Sequence, residues 1–209
     1  VQCSSLHPFT SEIEPMMLFS NYERRVGDFL EYCRNYFTAM QQLGATIFVL
    51  HGNKQVVGMD IDFYCERFGK LAALGKSYGV TVAQENVARY TSRSLAFLQQ
   101  MQQKMGNEVK FVLDVKQAVR SKEDPMQMLQ TLGRNIVHVH ISDHGEYGDC
   151  LPIGAGRFAV KTFLQTLSTI SPNCTVMLEL YRSGFRTLQD LLHNYHILQR
   201  MIQNCNKEE

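Results

Sequence analysis

Short apolar runs alternate along the chain with longer stretches in which apolar residues recur at a helical period. The runs are rich in β-branched residues, and they contain few polar positions, as expected when both faces of a parallel sheet are covered. They lie at residues 1–6, 45–51, 79–85, 109–114, 136–142 and 175–180. This alternation predicts βαβ units and a parallel sheet.

The intervening stretches predict helices with recognisable ends. The first starts after Ser20, which has the spacing of a capping box with Glu23, and stops at Gly44. Glycines such as Gly79 and Gly106 follow other helical stretches and allow the left-handed turn into the next strand. The further helices are predicted at residues 61–78, 92–105, 125–132, 160–170 and 187–204.

The count of strands bears on the fold class. The fold class predicted is α/β, of the (β/α)8 TIM-barrel type, but a closed barrel needs eight strands and only six are found. Because the chain also starts without Met, we expect that the first two βα units are absent and that residues 1–209 form a single, N-terminally incomplete barrel domain. An open doubly wound sheet fits the same alternation, but no GxGxxG or GxxxxGK[ST] motif follows a strand, which disfavours its nucleotide-binding forms.

Composition narrows the classes of function. Lys and Arg total 21 against 20 acidic residues, so the charge balance favours neither nucleic acid nor a membrane surface as a partner. No apolar run approaches the ~20 residues of a membrane span, and the first ten residues lack the pattern of a signal peptide. The six cysteines form no CxxC pair and are typical of reduced thiols, which predicts a cytoplasmic protein.

Each predicted strand ends at a side chain that can bind a metal or move a proton. In a parallel barrel all strand carboxyl ends lie on one face, so we expect these side chains to converge. Carboxylates and imidazoles without a thiolate suit Mn²⁺, Zn²⁺, Co²⁺ or Mg²⁺. The six residues are His7, His51, Glu85, Asp114, His140 and Glu179.

Each of these residues also has an ordinary structural interpretation. A single histidine at a strand end is more often a hydrogen-bonding group than a ligand, Asp114 can cap the next helix, and Glu179 can pair with Arg182. Six together favour function. His138 shares a strand face with His140 and is expected deeper, and Asp143 is expected to orient an imidazole.

Five motifs resemble a known family. They are ENV at 85–87, LDV at 113–115, HVHISD at 138–143, LPIGAGR at 151–157 and LELY at 178–181. Their order is similar to that in the xylose isomerase-like barrels, which include sugar phosphate isomerases and epimerases, hydroxypyruvate isomerase, inosose dehydratase and endonuclease IV. The resemblance runs from about Leu6 to Tyr181.

The resemblance implies a metal site and a mechanism. One divalent ion would be held by Glu85, Asp114, His140 and Glu179, and both glutamates would also act as catalytic acid and base groups. With these four ligands assigned, His7 is expected to contact the substrate instead of the ion. The other residues expected to bind the substrate are His51, Lys116, Gln117, Arg157 and Arg182. The three cations are chosen because they lie just past strand ends, where solvated loop charges are at least as good an interpretation.

The chain also departs from the family pattern. Gln117 stands where the family often has His, and Ala155 stands where the glycine-rich loop commonly has Glu. With Gly148 and Cys150 at further expected ligand positions, the trinuclear zinc site of the endonuclease branch is incomplete.

The function predicted is therefore metal-dependent isomerisation or epimerisation of a small sugar or sugar phosphate through an enediolate. Two alternatives stay open: an inosose-type dehydratase that uses the same ligands, and a degenerate barrel that binds a sugar without catalysis. The exposed sheet edges expected of a six-stranded chain favour a homodimer.

Overall fold

A computed structural model describes residues 3–9, 12–54 and 58–205 of the chain. Strands and helices alternate along it, as predicted. The strands are β1 Ser5–Leu6, β2 Ile47–Leu50, β3 Thr81–Glu85, β4 Lys110–Asp114, β5 Ile136–Ile141, β6 Asp143–Gly145, β7 Gly148–Leu151 and β8 Thr175–Leu178. The α-helices are α1 Glu14–Met17, α2 Glu23–Leu43, α3 Ile61–Ser77, α4 Leu95–Met105, α5 Val115–Arg120, α6 Pro125–Leu132, α7 Val160–Ile170 and α8 Leu188–Cys205.

The hydrogen-bonded order of the main sheet is β1-β2-β3-β4-β5-β8, and β6 and β7 form a separate antiparallel pair. The chain divides into two compact units, residues 1–112 and 113–209, and β4 runs across the division. That all 209 residues form a single domain stays a prediction.

The first unit is built on parallel strand pairs. Ser5 of β1 lies opposite Ile47 of β2, and Leu50 of β2 lies opposite Gln84 of β3. Every residue of β2 is buried, as expected of a strand covered on both faces. Phe48 of β2 packs with its ring centroid 5.2 Å from that of Phe37 in α2. The parallel pairing places the carboxyl ends of β1, β2 and β3 at one edge.

The second unit contains β5 and β8 as a parallel pair. Its register places Ile141 opposite Leu178. The strand β5 is buried along almost all of its length, whereas β8 is only partly buried. Helix α7 buries an apolar face that includes Phe163 and Leu167.

Several helix ends follow local chemistry. Asp60 caps α3 by accepting the backbone N–H groups of Asp62 and Phe63, and Ser94 caps α4 by accepting the N–H of Phe97. Gly44 ends α2 with φ of 70°, as predicted from its position.

The capping box predicted at Ser20 is wrong. Helix α2 begins after Tyr22 and has no side-chain cap, because the Ser20 hydroxyl accepts the N–H of Tyr22 instead. The predicted first strand is shorter than expected, since β1 covers only Ser5–Leu6, and Val1 and Gln2 lie outside the described residues.

The short helices α1 and α5 and the β6–β7 hairpin were not predicted. Among the described residues, no helix combines the length and apolar character that crossing a membrane requires.

Candidate metal centre

In the first unit, three predicted side chains meet at the carboxyl ends of parallel strands. His7 follows β1, His51 follows β2 and Glu85 ends β3. The Nε2 atoms of the two histidines lie 2.9 Å apart, and they lie 3.5 Å (His7) and 2.9 Å (His51) from Oε2 of Glu85. Glu85 is buried, whereas the His7 side chain is 44% exposed. The three residues therefore present their polar atoms to one point at a partly open edge.

A buried amide fixes the backbone beneath this cluster. The two N–H groups on Nε2 of Gln84 are shared among the carbonyl oxygens of Leu50, His51 and Glu85, which lie 2.9 to 3.0 Å from it. Oε1 of Gln84 accepts the hydroxyl of buried Tyr64 at 2.7 Å. A buried polar side chain is costly unless it is hydrogen-bonded, and these bonds connect the end of β2 to the end of β3.

Two further residues line the same strand ends. The Ser92 hydroxyl donates to the carbonyl oxygen of Glu85 at 2.6 Å, and the Tyr90 ring lies 5.4 Å from the His51 ring. Sequence reasoning missed Gln84, Tyr64 and Ser92. The signal was available for Gln84, because an amide inside an apolar strand needs buried partners.

Gly52 continues the chain from His51 in a left-handed conformation, with φ of +90°. Its N–H donates to Oε2 of Glu14 at 2.7 Å, and an added Cβ would overlap the Tyr64 hydroxyl. The turn after His51 therefore requires glycine.

In the second unit, Asp114, His140 and Glu179 form another cluster. Nδ1 of His140 lies 2.9 Å from Oε2 of Glu179 and 3.8 Å from Oδ2 of Asp114. Each residue offers one ligand atom, and these atoms lie within 4.8 Å of one another. Asp114 and His140 are buried, and the Glu179 side chain is 36% exposed.

Asp114 caps the next helix, as one interpretation of the sequence predicted, and its second carboxylate oxygen faces His140. Its Oδ1 accepts the N–H of Gln117 at 2.9 Å and so caps α5, while its Oδ2 faces His140. The predicted role of Gln117 at a substrate is a separate matter, since the bond described here uses only its backbone.

Lys116 is buried, contrary to the interpretation that it is a solvated loop charge. It is 2% exposed, and its Nζ lies 2.7 Å from Oε1 of Glu179 and 3.2 Å from Oδ2 of Asp114. Burial disfavours the charged ammonium, but attraction to Asp114 and Glu179 outweighs it, so the pKa of Lys116 lies above its ordinary value. The cluster therefore contains a cation of its own.

The charge of Glu179 is correspondingly stabilised. Burial disfavours its ionised form, but interaction with His140 and attraction to Lys116 lower the pKa of Glu179 to about 2. The carboxylate is thus ionised at neutral pH, as a metal ligand must be.

Tyr181 packs against Lys116 beside the cluster of Asp114, His140 and Glu179. Nζ of Lys116 lies 4.9 Å from the centroid of the Tyr181 ring, and the Tyr181 hydroxyl accepts from Arg120 Nη1 at 2.7 Å. Arg120 in turn forms a bidentate pair with Asp149, at 2.5 and 3.0 Å. The ring is therefore held at both its face and its hydroxyl.

Asp143 organises the loop between β7 and α7. Its carboxylate accepts backbone N–H groups of His144, Gly154, Gly156 and Phe158, at 2.7 to 3.0 Å. An added Cβ at Gly156 would overlap Asp143, which explains the glycine there. These contacts are with backbone amides, and the orientation of an imidazole by Asp143 stays a prediction.

The remaining predicted residues lie in ordinary surroundings. His138 is buried, and its Nδ1 lies 2.6 Å from the Thr175 hydroxyl, deeper than His140 as expected. Arg157 is 80% exposed and pairs with Glu146. Arg182 donates to the carbonyl oxygens at 185 and 186 in its own loop, rather than pairing with Glu179.

The donor set of the second cluster fits a divalent ion. Ligands bound at about 2.0 to 2.2 Å lie roughly 3 to 3.5 Å from one another, close to the separations of His140 from Glu179 and Asp114. Two carboxylates and an imidazole suit the borderline and hard divalent ions. Asp114, His140 and Glu179 are therefore the residues that could hold one.

The family of the chain follows from a comparison over nearly its whole length. The model of the xylose isomerase-like TIM barrel matches residues 1–202. The chain belongs to this family. The predicted resemblance and the predicted α/β barrel-type fold are thereby confirmed.

Solved structures of low identity share the fold. A D-tagatose 3-epimerase-like protein is 20% identical, with a TM-score of 0.76, over 98% of this chain and 78% of its own. The 3-keto-D-glucoside 4-epimerase YcjR from E. coli is 14% identical, with a TM-score of 0.74, over 96% and 80%. The IOLI protein with a binding zinc atom is 16% identical, with a TM-score of 0.67, over 99% and 74%.

No curated protein matches the chain significantly in sequence. The family, together with neighbours named as sugar epimerases, supports the prediction of an isomerase- or epimerase-like enzyme.

Proposed function

We propose that this chain is a divalent-metal-dependent isomerase or epimerase that acts on a small sugar or sugar phosphate. The observation that carries the proposal is the convergence of Asp114, His140 and Glu179 in a chain of the xylose isomerase-like family. Their ligand atoms have the chemistry and the spacing that a divalent ion requires.

Glu85 completes the proposed ligand set. This assignment is supported by its place in the ENV motif at the end of β3 and by its burial as a carboxylate. A buried carboxylate needs a compensating charge or several hydrogen bonds, and a bound metal ion would supply the compensating charge. The IOLI structure with its zinc atom supports metal dependence by analogy alone.

The two glutamates are proposed as the proton-transfer groups. When bound, a divalent ion would supply Lewis-acid polarisation of the carbonyl and hydroxyl oxygens of a sugar. One glutamate would take the proton from the carbon next to the carbonyl, and the resulting enediolate would receive a proton at the neighbouring carbon or on the opposite face from the other. Glu85 and Glu179 are the residues proposed for these two roles.

His7 and His51 are proposed to contact the substrate. Their Nε2 atoms face the Oε2 of Glu85, so they would also keep that carboxylate in place. The partial exposure of His7 supports a position that a small molecule can reach. A small carbohydrate is accordingly the proposed partner, whereas cytoplasmic location and a homodimer stay predictions.

Solvent exchange tests the proposed reaction. The chain is loaded with Mn²⁺ and incubated in D₂O with a panel of ketoses and inososes, and deuterium uptake into each sugar is followed by mass spectrometry. We expect uptake with at least one ketose, and loss of that uptake in both Glu85→Gln and Glu179→Gln. Glu31→Gln, at an exposed glutamate of α2, is the matched control and should retain it.

The products separate the alternatives. Loss of water from an inosose would identify a dehydratase, and unchanged uptake in either glutamate variant would overturn the assigned roles. A metal-loaded chain that binds one of these sugars in calorimetry but catalyses deuterium uptake into none of them would support a barrel that binds without catalysis.

A further inference from the structure

Lys116 already occupies a cation's place between two of the proposed ligands. Its Nζ lies 2.7 Å from Oε1 of Glu179 and 3.2 Å from Oδ2 of Asp114. The Lys116 and Asp114 side chains are only 3% and 2% exposed. An ammonium so enclosed is placed by the fold and differs from the mobile lysines of a surface.

The charges of the cluster conflict with a second cation at the same place. Lys116 brings one positive charge to two carboxylates, Asp114 and Glu179, and His140 also faces both of them. A divalent ion on the same carboxylates would stand within a few ångströms of the ammonium, and two like charges in a poorly solvated place repel strongly. Asp114 and Glu179 therefore cannot bind a divalent ion and keep their ion pairs with the Lys116 ammonium at full strength.

We propose that Lys116 is an internal competitor of the divalent ion, so that its ammonium holds Asp114 and Glu179 in the metal-free chain and is displaced when metal binds. This inference rests on the metal site of the proposed function. Lys116 is thereby a residue that sets metal affinity, and it acts on the ligands without being a ligand.

Tyr181 offers a second position for the displaced Lys116 ammonium. The Tyr181 ring lies 4.9 Å from Nζ and is itself partly exposed, so the lysine can retreat along the ring face toward solvent and keep a cation–π contact. Arg120 and Asp149 hold the ring in position. Exchange of the two cations would then need movement of the Lys116 side chain beside the Arg120 guanidinium, which also lies over this ring at 5.2 Å from its centroid.

Mn²⁺ titration of matched variants tests this exchange. Calorimetry at fixed pH and ionic strength compares the wild type with Lys116→Met, Lys116→Gln and Lys76→Met. The Lys76 side chain is 78% exposed and lies 3.7 Å from Glu108. Its substitution changes the net charge by the same amount but removes no charge from the metal site. We expect both Lys116 variants to bind Mn²⁺ about tenfold or more tightly than the wild type, and Lys76→Met to bind as the wild type does.

Thermal unfolding supplies a second readout. Without metal, both Lys116 variants should melt below the wild type, because Asp114 and Glu179 lose their counter-charge. With saturating Mn²⁺ their midpoints should rise by more than that of the wild type. The glutamine variant keeps the test available if the methionine variant does not fold.

The outcomes separate this inference from the proposed function. Equal or weaker Mn²⁺ binding by both Lys116 variants, with binding by the wild type intact, would overturn the competition and leave the metal site standing. Absence of Mn²⁺ binding in every variant and in the wild type would overturn both. Binding by the Lys116 variants alone would support the competition in its strongest form.

Discussion

Nδ1 of His140 lies 2.9 Å from Oε2 of Glu179 because the register of two parallel strands brings them together. Ile141 of β5 lies opposite Leu178 of β8, and the N–H of Glu179 donates to the carbonyl oxygen of Ile141 at 3.0 Å. A shift of register by one residue would turn either side chain to the other face of the sheet. The candidate ligand pair is thus a property of the strand pairing.

Tyr64→Phe should destabilise the chain by about 1–3 kcal/mol, the usual cost of leaving a buried acceptor without its donor. The hydroxyl that it removes donates to Gln84, whose amide holds the carbonyl oxygens of His51 and Glu85. Urea unfolding measures the loss. Tyr147→Phe, at a ring that is 86% exposed, should stay within about 0.5 kcal/mol of the wild type. Equal stability of the two variants would show that the Gln84 contacts do not depend on Tyr64.

Asp143→Asn should cost about 1–3 kcal/mol, because an NH2 group, which cannot accept, replaces one of two carboxylate oxygens that each accept two backbone N–H groups. Hydrogen exchange should also become faster at one of the two pairs of amides, Gly154 with Gly156 on Oδ2 or His144 with Phe158 on Oδ1, whichever then faces the new NH2 group. The matched control is Asp28→Asn, since that carboxylate is exposed and pairs with Arg24 at a long 3.9 Å. Unchanged exchange in the loop would contradict the role given to Asp143.

Glu179 should make the chain sensitive to acid. Its pKa is about 2 in the folded chain, below its ordinary value of 4.5, so the folded state binds this proton less readily than the unfolded state. The stabilisation it gives is therefore complete above pH 4.5 and is lost as the pH falls toward about 2. Glu179→Gln should have a lower free energy of unfolding at neutral pH, measured by urea unfolding. That free energy should also fall less steeply between pH 5 and 3, by roughly the slope that one titrating carboxylate contributes. Parallel profiles for the two proteins would contradict this account.

Much of the fold could be predicted because strand periodicity and turn glycines are local signals. The buried run of β2 and the positive φ of Gly79 and Gly106, at 72° and 56°, follow directly from residue type. Ser20 shows the limit of local signals, since its hydroxyl accepts the N–H of Tyr22 and not that of Glu23, which the capping box predicted.

The sequence predicts which residues lie at the strand ends, but it does not predict which of their side chains contact one another. That Glu85 is buried follows from the apolar strand before it, whereas the meeting of His7 with His51 depends on strand register and side-chain rotamers. The burial of Lys116 was missed for a related reason. Asp114 starts α5 directly at the end of β4, and this turn brings the lysine back over the carboxylate two residues before it.

Direct metal titration tests the central claim, that Asp114, His140 and Glu179 form a divalent metal site. The purified chain is stripped with a chelator, titrated calorimetrically with Mn²⁺ and Zn²⁺, and compared with His140→Gln and with His193→Gln, a control at an exposed histidine of α8. We expect saturable binding by the wild type and by His193→Gln, and binding weakened about 10- to 100-fold or more in His140→Gln, because one ligand is lost. Absence of saturable binding by the wild type, or equal binding by His140→Gln, would contradict the claim.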